Sequence, residues 1–279
     1  MSLDDLRKQI DDLDERIVAL LNERAACAAE IGRVKAKTSA DVFVPAREQA
    51  VFDHVCGVNK GPLSDTHLRF IFREVMSATK NIEGGISVAY WNPPNFSTYR
   101  AAQLKFGSSA RFEERHSVEE VFARLAAGEC NYAVVPIENT VEGTEISVLD
   151  AFAEYELGIL GEVGLRRELP NSDTSVYERY FIIQQDVKLA GEKCSVCLEL
   201  EDKSGALVQV LGLFKSFSLS LSKLESRPIP ERPGEYLFFI DFKGQTDEAF
   251  MQEVLAALKE VSNQVKFLGA YSVDITGHA

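Results

Sequence analysis

The sequence has no long apolar run. No stretch approaches the eighteen or so consecutive apolar residues that a membrane span requires, and the N-terminus is charged and helix-patterned rather than signal-like. Neither secretion nor a membrane partner is therefore expected, and the chain reads as cytoplasmic. Material for a disulfide framework is also short. The five cysteines, Cys27, Cys56, Cys130, Cys194 and Cys197, are odd in number and scattered, as reduced thiols are. Cys194 and Cys197 have CxxC spacing, but they lie in an alternating, strand-like run with no second pair and no neighbouring histidine. A structural role is expected for them, and no metal site. Positive charge is scarce as well: Lys+Arg number 30 against 43 Asp+Glu, a net charge of −13. Nucleic acid, which needs an extended basic face, is not an expected partner. What is present is ordinary for a globular chain, 46% hydrophobic and 26% charged, and 279 residues favour two or three domains.

Against that acidic background the first fifty residues stand out. Apolar residues fall at Leu3, Leu6, Ile10, Leu13, Ile17, Leu20, Leu21, Ala28, Ile31 and Val34. Spacings of three and four sustained this long predict one helix with a coiled-coil-like seam, roughly 50 Å in length. It is too long to be served by a core folded around one copy. The helix carries Arg7, Arg24 and Lys35, and Arg47-Glu48 follow closely. Arg24 and Lys35 lie about three turns apart and within ~20° of each other. Arg7 is roughly 25 Å from Arg24 along the axis and about 100° around it. One small anion therefore cannot touch all three from a single helix. Two antiparallel copies would bring Arg7 of one beside Arg24 and Lys35 of the other.

Residues 6–14 (LRKQIDDLD), 20–24 (LLNER), 30–35 (EIGRVK) and 44–48 (VPARE) resemble the all-helical class of chorismate mutases. The resemblance covers about residues 1–83 and implies three helices per chain, interlocked as a dimer. It implies a site made of Arg24, Lys35, Arg47, Glu48, Thr79 and Glu83, with Arg7 from the partner. Thr79 and Glu83 belong to a third predicted helix, Ser64 to about Glu83, one turn apart on one face. Val44 stands where the family commonly has an acidic residue. The implied reaction, chorismate to prephenate, is an intramolecular pericyclic step needing no nucleophile, metal or cofactor. The enzyme holds a dianion compactly, a task for arginines, and stabilises charge building on the ether oxygen, a task for Lys35 opposite Glu83.

After Gly84-Gly85 the period changes. Strands are predicted at Ile86–Trp91, near Ala110–Glu114 and at Tyr132–Val135, with helices up to about Phe106 and at Ser117–Ala127. That alternation predicts a parallel-rich α/β lobe. VVPIEN (134–139) and Gly161-Glu162-Val163 resemble the prephenate dehydratase family. Three features depart from it. The family's glycine-rich loop has become Asn92-Pro93-Pro94-Asn95-Phe96-Ser97. Its Thr-Arg-Phe signature is Glu178-Arg179-Tyr180. Only fourteen residues separate Val163 from Glu178, where the family carries a whole second lobe. The expectation is a degenerate lobe without dehydratase activity.

From Lys193 the pattern is strand, helix, strand, strand, helix, strand, the ferredoxin-like order. Gly205-Ala206-Leu207-Val208 and Glu225-Ser226-Arg227-Pro228 resemble the two phenylalanine-binding motifs of the ACT domain attached to prephenate dehydratases, with Ser220 where asparagine is usual. Glycine at a helix start lets a carboxylate approach backbone N–H groups.

The resemblances together imply a multi-domain α and α/β chain: an all-helical intertwined chorismate mutase domain (1–84), a single truncated α/β dehydratase-like lobe (85–188) and a ferredoxin-like βαββαβ ACT domain (189–279). The implied partners are chorismate and prephenate, L-phenylalanine as effector, and further copies in a homodimer or tetramer with the active site shared between chains. Two rival readings stand beside this one. One is a bifunctional mutase and dehydratase whose second lobe comes from a partner chain. The other is a non-catalytic amino-acid sensor that keeps its helices for dimerisation, although dimerisation needs the apolar seam and not those charges.

Overall fold

The computed structural model describes residues 2–38, 43–168, 175–229, 232 and 234–275. The chain forms two compact units, Met1–Ser87 with Gln103–Arg111, and Val88–Ala102 with Phe112–Ala279.

The first unit is built on three helices, α1 (Leu3–Thr38), α2 (Pro45–Val58) and α3 (Asp65–Glu83). Asp4 and Asp5 in the first turn of α1, and Lys35 and Lys37 in its last, complement the helix dipole. Pro45 opens α2, where its fixed φ suits the first turn and its missing N–H costs nothing. Ser64 caps α3 by accepting from the His67 N–H. Both α1 and α2 pack against α3. The approach of α1 to α3 is close at Gly32, where a Cβ would lie 2.8 Å from Glu83 Cα. Among the described residues the N-terminal seam of α1 stays open, with Leu3, Ile10 and Leu20 63%, 56% and 61% exposed.

The second unit holds the sheet. In chain order its elements are β1 (Ser87–Trp91), α4 (Thr98–Phe106, whose last residues belong to the first unit), β2 (Arg111–Arg115), α5 (Val118–Ala126), β3 (Tyr132–Asn139), β4 (Gly143–Thr144), α6 (Ile146–Glu154), β5 (Gly158–Glu168) and β6 (Ser175–Gln184). There follow β7 (Gly191–Glu201), α7 (Ala206–Ser216), β8 (Ser220–Pro228), β9 (Glu235–Thr246), α8 (Glu248–Val261) and β10 (Gln264–Ile275). The last six elements have the predicted βαββαβ order, with strands arranged β10-β7-β9-β8.

Two findings correct the expected organisation. The lobe is mixed rather than parallel-rich: β1 and β3 pair in parallel as expected, whereas β3–β6, β5–β6 and β3–β4 are antiparallel. The cause is local: β5 returns directly into β6 in register from Gly158–Gln184 to Glu168–Ser175, a hairpin and not a crossover. Residues 169–174 of the expected short connection lie outside the described residues.

The lobe and the C-terminal segment also share one sheet, in the order β2-β1-β3-β6-β5-β10-β7-β9-β8. The joint is β10, whose first part pairs antiparallel with β7 and whose last residues, Ser272–Ile275, pair parallel with β5. One core cluster runs through both segments, joining Phe122, Phe152 and Phe181 to Phe239 and Tyr271. A second lies under α7 and α8, around Val196, Phe214, Phe242 and Met251. Cys197 belongs to the first cluster and Cys194 to the second. Three residues apart on a strand, the two point to opposite faces and cannot share a ligand. Among the described residues, no helix is long and apolar enough to cross a membrane.

Candidate active site

A cavity of about 440 Å³ opens between the C-terminal half of α1, the start of α2 and the end of α3. Ala28, Ile31, Val51 and Met76 supply apolar walls, and Arg24, Lys35, Arg47, Glu48, Thr79, Lys80 and Glu83 line the rest. Arg24 Nη1 donates to Thr79 Oγ1 at 2.9 Å. Thr79 in turn directs its hydroxyl at the Val75 and Met76 carbonyls behind it, 3.0 Å from each, which turns its oxygen towards the guanidinium. Lys35 Nζ lies 3.2 Å from Glu83 Oε2. Lys80 pairs with Glu48, and its Nζ sits 4.4 Å from the centroid of the Phe43 ring. Burial lowers the pKa of Arg24, the Glu83 carboxylate opposes this and Arg47 reinforces it. Arginine stays charged through any such shift. The cavity thus presents four cationic side chains against two carboxylates, a surplus suited to a small dianion.

Six of the seven residues expected at this site come together. Arg7 does not: it lies near the far end of α1, exposed beside Asp4 at 3.4 Å. Lys80 was missed. It stands four residues after Met76 and three before Glu83, so helical spacing alone puts it on the face that carries both.

The motif residues of the lobe are also gathered, but in a different state. Arg179 Nε and Nη2 bind the two oxygens of Glu162 at 2.8 Å each, Nη2 also binds Asp241 at 2.8 Å, and Nη1 binds Glu138 at 2.5 Å. Lys193 Nζ joins Glu162 at 2.6 Å, and Lys223 joins Glu138. Burial works to raise the Glu138 pKa, but Arg179 and Lys223 outweigh it and hold the carboxyl below its usual value. Glu178 is fully buried between Arg167 and the Tyr180 hydroxyl. The Tyr180 oxygen accepts from the Ser97 N–H at 2.7 Å. Asn139 closes a turn, its Oδ1 accepting from the Val141 and Glu142 N–H groups at 2.9 and 2.7 Å. Each cation of this cluster already has a carboxylate.

The two expected effector motifs meet at one end of the C-terminal sheet. Leu200 of β7, just before the Gly205 loop, and Pro228 of β8 both pair with Tyr236 of β9. Gly205 takes φ +89° at the N-cap of α7, a left-handed conformation natural to glycine, and no side chain caps the helix. Ala206 and Leu207 follow in the first turn, and Val208 is 70% exposed. In the second motif, Glu225 accepts from Thr144 at 3.0 Å, and Arg227 makes two hydrogen bonds to Asp150 at 3.2 and 2.8 Å, while Ser226 and Pro228 are exposed. Ser220 is not brought to this end. It opens β8 opposite Lys243, roughly 27 Å along the strand from Pro228.

Comparison with known proteins agrees with the two N-terminal segments. The Chorismate mutase type II family model matches residues 6–84 and the Prephenate dehydratase model matches residues 88–169. A bifunctional chorismate mutase/prephenate dehydratase from Pseudomonas aeruginosa is 30% identical over 351 aligned positions, covering 95% of this chain and 96% of the relative. That alignment is longer than the 279 residues present, so the relative carries residues without a counterpart here. The solved prephenate dehydratase from Streptococcus mutans is 27% identical with a TM-score of 0.56, over 67% of this chain and 98% of its own. The fold is shared with a prephenate dehydratase from Arthrobacter aurescens solved in complex with L-Phe, 23% identical, TM-score 0.58, over 67% of this chain and 90% of its own. A helical mutase unit joined to a dehydratase-like α/β lobe defines the class. The chain belongs to the bifunctional chorismate mutase/prephenate dehydratase family of aromatic amino acid biosynthesis. It is a chorismate mutase, an isomerase.

Proposed function

We propose that the cavity between α1, α2 and α3 is where chorismate rearranges, that the dehydratase activity of the family has been lost, and that L-phenylalanine regulates the mutase through an ACT domain at 189–279. The convergence of Arg24, Lys35, Arg47, Glu48, Thr79 and Glu83 on one cavity carries the first clause. Arg24 and Arg47 bind the substrate's carboxylates and hold its compact conformer, which removes most of the entropic part of the barrier. As the ether C–O bond breaks and the new C–C bond forms, Lys35 stabilises the negative charge growing on the ether oxygen. Glu83 lies against the same ammonium and fixes its position at the cavity wall. Glu83→Ala, which removes that partner, is therefore expected to lower kcat for chorismate; an unchanged kcat contradicts this role.

Arg7 is assigned to the cavity of a second copy in a homodimer. The exposed seam of α1 supports this, since antiparallel pairing buries Leu3, Ile10 and Leu20 while carrying Arg7 along the partner helix.

Loss of dehydration is supported by the saturated state of Arg179 and by the antiparallel pairing of β5 with β6; the match to the dehydratase model ends at residue 169, just after β5. Half a cleft has little to exclude water or orient a leaving group. The relatives are named as bifunctional enzymes, and the Pseudomonas aeruginosa relative carries residues without a counterpart here.

Regulation is supported by the meeting of the two motifs at Tyr236, and by the L-Phe named in the structure of the Arthrobacter aurescens protein. Calorimetric titration with L-phenylalanine is expected to give saturable binding below millimolar ligand. No heat at millimolar ligand contradicts the effector clause.

A further inference from the structure

We propose that Lys80 is a positioning residue of the mutase cavity: its ammonium holds the Glu48 carboxylate and cancels its charge, so that Glu48 does not compete with a bound dianion for Arg24, Lys35 and Arg47. The inference rests on the reading of this cavity as the mutase site.

Glu48 reaches the cavity from α2 and Lys80 from α3, and the two are in ion-pair contact. Both are largely enclosed, with side chains 15% and 10% exposed. A carboxylate so placed without its own cation would turn to the nearest arginine or lysine of the site, or take up a proton. Either outcome blunts the charge surplus that binds substrate. Lys80 is itself fixed from behind. Its Nζ lies over the Phe43 ring, the ring is 2% exposed, and it packs on Phe106 at 5.1 Å. Lys105 approaches the same ring at 5.8 Å. An ammonium held between a π face and a carboxylate has little freedom to leave Glu48.

The placement also makes the clamp sensitive to pH. The charged groups around Lys80 are Arg24 and Lys35 from α1, Arg47 and Glu48 from α2, Glu83 from α3 and Lys105 from α4. Burial is the largest influence and pushes Lys80 down to about 7; Lys105, Lys35 and Arg24 act in the same direction, and Glu83 opposes them. Contact with the Glu48 carboxylate likewise favours the charged form. Lys80 is thus charged below that value and gives up its proton as pH rises, releasing a bare Glu48 carboxylate into the cavity. Affinity for a dianion falls in the same direction.

The test is kcat/KM for chorismate against pH in wild type, Lys80→Met, Lys80→Arg, Glu48→Gln and the double variant Lys80→Met/Glu48→Gln. Lys80→Met is expected to lower kcat/KM on the order of tenfold, as loss of one charge-assisted hydrogen bond would. The loss should fall mainly in KM, and the decline above neutral pH should disappear. Lys80→Arg, charged throughout, keeps activity and extends it to higher pH. Glu48→Gln costs less in the Lys80→Met background than alone, because the two act as a pair. A Lys80→Met enzyme with wild-type KM and pH profile, or strictly additive effects of the two substitutions, overturns the proposal. Arg24→Ala separates the layers: if it is inactive while Lys80→Met behaves as wild type, the Lys80 inference alone fails. If Arg24→Ala stays active, the reading of the cavity fails with it.

Discussion

Arg24 and Arg179 are the same side chain in opposite conditions. Arg24 donates to a neutral hydroxyl, Thr79, at the wall of an open cavity where cations outnumber carboxylates. Arg179 is 7% exposed and tied to Glu138, Glu162 and Asp241. The first retains electrostatic potential for a ligand. The second has spent it inside the fold. What separates the two arginines here is whether the surrounding strands and helices already satisfy the fork with carboxylates, and family membership alone does not decide that.

The contrast is breakable, and the largest effect is expected on the cavity side. Arg24→Ala should cut chorismate turnover by about 10²–10³-fold, the usual scale for losing a preorganised charged donor. It should leave the oligomeric state and thermal unfolding close to wild type, since Arg24 donates to a neutral hydroxyl, Thr79, and Glu83 keeps Lys35 as its ion-pair partner. Sedimentation and a steady-state assay on the same sample check both halves.

Arg179→Met reverses the pattern. It leaves Glu138, Glu162 and Asp241 with only Lys193 and Lys223 between them, and buried charge without full compensation costs about 3–5 kcal/mol. A large fall in Tm is expected, with mutase kcat/KM unchanged in the cold. Unaltered unfolding would mean that the cluster is not the structural clasp described.

A smaller effect tests how closely α1 must approach α3. At Gly32 the gain in helix propensity from alanine, about 1 kcal/mol, meets a Cβ placed 2.8 Å from Glu83 Cα. Backbone cannot yield as a side-chain tip can, so Gly32→Ala should destabilise by about 1–3 kcal/mol and raise KM by moving Lys35 from Glu83. Thermal unfolding and the KM for chorismate report the two consequences.

The smallest effect concerns acid. Arg179 and Lys223 hold the folded pKa of Glu138 below the usual glutamate value of 4.5. Its contribution is therefore complete above that value and is lost as pH falls through the lower, folded one. Glu138→Gln should reduce the slope of stability against pH in that acidic window and leave it unchanged near neutrality.

Much of the helical unit was legible because its signals are local. The three-and-four spacing of α1, the Ser64 cap and the one-turn offset of Thr79 and Glu83 are set by neighbours along the chain. So was the order of the last six elements, since alternation and turn residues mark each in turn. The antiparallel hairpin β5–β6 was not legible, because period-two apolar runs do not say which strand lies beside them. The clasp was hidden for the same reason. Glu138, Glu162, Arg179, Lys193 and Asp241 sit on β3, β5, β6, β7 and β9, and only the sheet order brings them together. Lys80 was within reach of helical spacing, but a single lysine near a helix end reads as a solvated one until Glu48 and Phe43 are placed around it.

The most direct test of a working mutase beside a silent dehydratase lobe is the product formed from chorismate by the purified protein, measured with and without L-phenylalanine. The account predicts that prephenate accumulates, that no phenylpyruvate forms beyond the acid-catalysed decay of prephenate, and that L-phenylalanine changes the rate. Phenylpyruvate appearing in proportion to enzyme would contradict it, because Arg179 and its carboxylates would then be part of a working site.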